Sequence, residues 1–159
     1  MAVSTQALAD DNNFFDSPLE YLRRSKLGMA WVPLKQCGCH PRQRPLDADF
    51  LTSLANDYAP MLDYRVHNPI FLVPEELPDD LAEKLRRTSH HSIISREEMA
   101  SWPDVRFLII DGQHRHQSAL SWIAKGDDEV KQAIATHPNL MCWPAFILDP
   151  SEYLTSVIS

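Results

Sequence analysis

Four consecutive apolar residues, Phe107 to Ile110, run directly into Asp111-Gly112, and beyond that turn the apolar residues Ala119, Leu120, Ile123 and Ala124 recur at helical spacing. The first run fits a strand buried on both faces, and the second fits a helix packed by one face. A strand that turns on a single glycine into a helix is a building unit of α/β sheets, and it directs the reading of everything around it.

The remaining segments fit the same plan. Ser17-Pro18-Leu19-Glu20 combines a capping serine, a proline at the first helical position and a glutamate that returns to the cap, so a short helix to about Arg24 is expected. Met29 to Leu34 reads as a strand that Pro33 confines to an edge or ends early. Gln36 to Pro45 reads as a loop, after which Asp47 is expected to cap a helix with Phe50, Leu51, Leu54, Ala55 and Tyr58 in one buried stripe. Asn68 to Pro74 reads as a buried strand bounded by prolines, and Pro78 starts a helix carrying Leu81, Ala82 and Leu85. Ser95 to Glu98 is a second capping box, whose helix Pro103 stops. Gly126 is placed to end the helix that follows Gly112. Asp127 to Thr136 is a further helix with Val130, Ala133 and Ile134 inward, and Trp143 to Leu148 is the last strand. The expected fold class is α/β, a small mixed β-sheet with surrounding short helices. A disordered lead over 1–16 and a single domain over 17–159 complete the expected organisation.

Size agrees with one domain, since 159 residues fall within the usual range of about 100 to 200. Fifteen basic against 22 acidic side chains leave a net charge of -7, which argues against nucleic-acid affinity over the whole surface. The short basic groups at Arg23-Arg24-Lys26 and Arg86-Arg87 read as solvated faces. No apolar run approaches the roughly 18 residues of a membrane span, so no membrane partner is expected. The polar, acidic start from Met1 to Asn13 does not resemble a secretory signal, and Cys37, Cys39 and Cys142 cannot all pair with one another. An intracellular location, cytoplasm or nucleus, is the expectation. Ser159, a few residues after the last strand, reads as the edge of one domain of a longer protein.

Glycine is scarce, four residues against twelve prolines, where average usage would give roughly 11 and 8. Gly28 and Gly38 are expected in loops flanking the first strand, leaving Gly112 as the position to explain. A strand, glycine, helix turn presents the first backbone N–H groups of the helix at the sheet's carboxyl edge, which is a setting for an anion. The missing side chain at Gly112 lets a phosphate approach, with Gln113, His114 and Arg115 as nearby donors. Each charge-assisted bond to phosphate contributes roughly 1.5 to 3 kcal/mol, and the helix dipole about 0.3 to 1 kcal/mol more. On this reading Gly112→Val leaves folding largely possible and blocks the anion. His114 with Ser118, and Gln117 with Ser121, form a polar face opposite Ala119, Leu120 and Ile123. The plainer alternative is that Asp111 caps the helix and the other polar residues are surface.

Ile110-Asp111-Gly112-Gln113-His114-Arg115, followed by Ala119-Leu120, resembles the signature turn of the ParB/sulfiredoxin-like superfamily, in its DGQHR version. Val32-Pro33-Leu34 and His40-Pro41-Arg42-Gln43-Arg44-Pro45 resemble that family's opening strand and its Asn-Pro-x-Gln-Pro-Arg loop, with the last Pro-Arg order reversed. The helix from Asp47 and the strand from Asn68 to Val73 resemble the next two elements, so the likeness runs from about Met29 to Asp149.

The resemblance implies a nucleoside triphosphate, CTP or ATP, held with magnesium. Gly112, Gln113, His114 and Arg115 would form the phosphate cradle, with Arg42 and Gln43 next nearest. Asp111 and His114 would be the catalytic candidates of an NTPase or phosphotransferase, Asp104 being a second candidate base. The resemblance also leaves room for a homodimer, for DNA association through a larger assembly, for a ParB-like nuclease, or for a non-catalytic interaction module of a larger protein. Sulfiredoxin chemistry is not expected, because Gln113 stands where those enzymes carry a cysteine nucleophile and an amide cannot replace a thiolate. A helix-turn-helix for reading DNA sequence is not visible.

Cys37-Gly38-Cys39-His40, with His90-His91 as a distant complement, offers zinc-ligating residue types, but a lone knuckle is more often a reduced loop, and no metal site is assigned. Trp31, Trp102, Trp122 and Trp143 are spread across the expected elements and read as core or rim.

Overall fold

The computed structural model describes residues 26–39, 46–88 and 92–150. Among them five strands form one mixed sheet: β1 (Lys26–Pro33), β2 (Cys37–Cys39), β3 (Ile70–Pro74), β4 (Phe107–Asp111) and β5 (Cys142–Leu148), in the order β1-β5-β3-β4-β2. β5 pairs antiparallel with β1 and parallel with β3, while β4 pairs antiparallel with β3 and parallel with β2. Lys26 lies opposite Leu148, so the first and last strands meet at one corner of the sheet. The helices are α1 (Ala48–Ser53), α2 (Leu62–His67), α3 (Asp79–Arg87), α4 (Arg96–Met99), α5 (Gln113–Ala124) and α6 (Asp128–Thr136). None is long and apolar enough to cross a membrane.

The helix starts follow the chemistry of their caps. Asp47 accepts from the Phe50 N–H and Asp127 from the Val130 N–H, and Ser95 with Glu98 forms both halves of a capping box. The main core joins Ala30, Val32, Ile70, Leu72, Ile109 and Ala145 of the sheet to Leu81 and Leu85 of α3, Met99 of α4 and Ala119 of α5. A smaller cluster of Ala59, Trp122, Val130 and Leu140 seats α6 against the other side of α5.

Several expectations change. Cys37 to Cys39 is a strand rather than a loop, because β4 offers it a parallel partner, and Gly38 therefore sits in β2. Gly28 lies within β1, where a Cβ would stand 2.8 Å from the Leu85 carbonyl oxygen, so strand and helix approach across a bare backbone. β4 alternates, with Phe107 and Ile109 buried and Leu108 and Ile110 half-buried, instead of being buried on both faces. The stripe expected after Asp47 breaks up: Leu54 and Ala55 are buried, while Phe50 and Tyr58 are 53% and 44% exposed. From Leu54 to Tyr58 the backbone widens into a π-helical turn, with the Ala59 N–H bonded to the Leu54 carbonyl at 2.7 Å. The wider turn changes the rotation per residue and carries Tyr58 out of the stripe.

The buried face of α5 is wider than expected. Ala119 is buried and Leu120 and Ile123 pack against the core as expected, Gln113, His116, Ser118 and Trp122 are buried as well, and Ala124 is exposed. Ser118 bonds the Arg115 carbonyl at 2.6 Å, so it satisfies its own helix rather than extending a polar surface. The expected helix over Ser17 to Arg24, the lead over 1–16, and residues Arg42, Gln43, His90 and His91 lie outside the described residues.

Candidate functional site

β4 ends at Asp111 and α5 begins at Gln113, with Gly112 as the N-cap between them at φ 106° and ψ 22°. That left-handed conformation resists a β-carbon. The position is also crowded: an added Cβ would stand 2.8 Å from the Ile70 Cβ and closer still to its Cγ2. Glycine is therefore required here by the start of β3, independently of any ligand. This corrects the expectation that Gly112→Val would spare the fold.

The N-terminus of α5 differs chemically from those of the other helices. Gly112 supplies no capping side chain and the first turn holds no acidic residue, whereas α1, α3, α4 and α6 all have acids in their first turns. The dipole of this twelve-residue helix is consequently not offset by a carboxylate within the turn itself.

Arg115 reaches back over the turn. Its Nη1 donates to the carbonyls of Pro69 at 2.8 Å and Asn68 at 3.2 Å, and its Nη2 lies 3.4 Å from Asp111 Oδ2. The guanidinium thus holds the entry to β3 against the end of β4 while keeping a positive charge beside Gly112. Asp111 does not cap α5. It is a 60% exposed carboxylate that pairs with Arg115.

His114 Nε2 accepts the backbone N–H of Asp47 at 2.9 Å, and its ring meets Phe50 edge-on at 5.2 Å. A neutral ring accepting through Nε2 carries its proton on Nδ1. Gln113 is buried, 9% exposed. Asp111 to Arg115 thus occupy one turn, with His114 and Arg115 tied into the surrounding backbone.

Two buried polar residues escaped the sequence reading. His116 is 4% exposed; its Nε2–H donates to the Leu34 carbonyl at 2.9 Å, and its Nδ1 is buried with no hydrogen-bond partner. Burial holds its pKa below the usual 6.5, although the bond to Leu34 opposes the shift. The available signal was its three-residue spacing from Gln113 and Ala119. Arg65 is fully buried, donating through Nε to Ala59 at 3.0 Å and through Nη1 to Leu140 and Cys142, both at 2.6 Å, with Nη2 unpartnered. It lies 4.9 Å over the Trp143 ring, and burial lowers its pKa to about 10. Nothing in its local sequence marks it as a core residue.

Burial pushes the Cys37 thiol up to about 12 and the Cys142 thiol up to about 11, which leaves both protonated and unreactive near neutrality. Cys39 is exposed. Among the described residues no three His, Cys, Asp or Glu side chains are grouped to hold a metal ion. Comparison with protein-family models, curated proteins and solved structures finds no match to this chain.

Proposed function

We propose that this is a ParB/sulfiredoxin-like domain that binds the phosphates of a nucleoside triphosphate, CTP or ATP, at the Gly112 turn. The observation that carries the reading is the start of α5: a left-handed glycine cap, no acid in the first turn, and the Arg115 guanidinium beside it. Asp111, exposed at the same turn, would supply a carboxylate to a magnesium ion carried on the phosphates. Arg42 and Gln43, which the resemblance adds to the cradle, lie outside the described residues. An intracellular setting, where such nucleotides are abundant, goes with this function.

The test is calorimetric titration of the full chain with ATP, CTP and GTP, with and without magnesium. Binding by at least one is expected. Asp111→Asn should tighten magnesium-free binding severalfold, because it removes the carboxylate paired to Arg115. Absence of binding by all three nucleotides overturns the reading, as does an unchanged affinity in Asp111→Asn.

A second reading is favoured by the bonds already made at the turn. His114 accepts from Asp47 and Arg115 donates to Asn68 and Pro69, which suits a rigid, non-catalytic interaction module of a DNA-associated assembly. Phosphate release that disappears in His114→Ala would count against it.

A further inference from the structure

An apolar cleft is lined by none of the residues of the Gly112 turn. It measures about 360 Å³ and lies between the 3-10 turn Leu34–Gln36, α4, the later part of α5 and the 3-10 turn Pro138–Met141. Its walls are apolar, with Leu34, Leu120, Ile123 and Met141 among them, and Met141 is 43% exposed at the surface. The charged side chains lining it are Lys35 and Arg96, and no carboxylate lines it. In a chain of net charge -7, an apolar hollow with only cations in its lining is a local reversal of sign.

The polar groups in the lining are not equally committed. The Gln36 amide nitrogen donates to the carbonyls of Trp102 and Val105, both at 2.9 Å, and serves the fold. Lys35 is exposed and makes no ion pair among the described residues. Arg96 holds Glu97 at 3.0 Å through Nη2, a largely exposed pair of the kind that contributes little, and its Nε is buried with no hydrogen-bond partner. Lys35 therefore keeps its donor capacity beside the apolar wall.

We propose that this cleft binds a small apolar acid, an aliphatic or aromatic carboxylate whose chain lies along Leu120 and Ile123 and whose charge meets Lys35 and Arg96. A volume near the lower end of the usual ligand range, about 300 to 1,000 Å³, suits a small molecule rather than a protein segment. The proposal is independent of nucleotide binding at Gly112.

The experiment titrates the full chain with an anilinonaphthalene sulfonate dye, an apolar anion, and displaces the dye with decanoate, using decylamine and decanol as controls. Saturable dye binding is expected, with displacement by decanoate and weakening by added salt. Lys35→Glu and Met141→Glu change exposed side chains, so each should keep the wild-type melting temperature while reducing decanoate affinity by about tenfold. Absence of saturable dye binding overturns the proposal. So does displacement by decylamine or decanol as effective as that by decanoate, or an unchanged decanoate affinity in either variant.

Discussion

His114 Nε2 accepts the Asp47 backbone N–H at 2.9 Å, across 67 residues of chain, and so joins the first turn of α5 to the N-cap of α1. Asp47 is itself bound to the Phe50 N–H, and Phe50 meets the His114 ring, so the contact is a small closed set. His114→Ala removes the acceptor and the ring contact at an exposed site, where water can replace the bond. A loss of about 0.5 to 1.5 kcal/mol is expected, read as a lower urea midpoint with an unchanged slope.

Gly112 gives a larger effect. Gly112→Val imposes both a left-handed backbone and a clash with Ile70, and a loss of about 3 kcal/mol or more is expected in urea unfolding. Gly112→Ala should lose less, and combining it with Ile70→Ala should recover part of that loss beyond additivity, because the two changes share one space.

His116 sets a pH dependence. Above 6.5 its ring is neutral in both folded and unfolded chains and carries no penalty. Below 6.5 the unfolded chain takes up a proton that the buried ring resists, so stability falls with pH until the lower folded-state pKa is reached, and this group contributes no further loss beneath it. Urea midpoints measured from pH 7.5 downward should decline more steeply for the wild type than for His116→Gln, which does not titrate.

Arg65 is a buried cation satisfied by carbonyls, with no carboxylate paired to it among the described residues. Lysine has a single nitrogen and cannot reproduce the fork that spans Ala59, Leu140 and Cys142. Arg65→Lys and Arg65→Met should each cost about 3 kcal/mol or more, measured as a drop in melting temperature, since both leave buried acceptors unmet.

What could be read from the sequence was local. The caps at Asp47 and Ser95 follow from residues close in the chain, and the turn at Gly112 follows from an apolar run meeting a glycine. The misread features depend on distant partners. Cys37 to Cys39 becomes a strand only beside Phe107 to Ile109, and Arg115 is occupied by carbonyls 46 and 47 residues away. His116 and Arg65 look like surface residues until the elements that enclose them are in place. The same limit governs the candidate site: sequence placed Asp111 to Arg115 at a strand-to-helix turn, but could not show that Ile70 already occupies the space a Gly112 side chain would need.

The pairing of Lys26 with Leu148 has an architectural consequence. The chain enters and leaves the described sheet side by side, so a flexible peptide joining those two positions should close the backbone without bending a strand. New ends could then be opened at an exposed bend such as Glu75-Glu76, making the sheet a candidate for circular permutation and for splicing into a loop of another host protein.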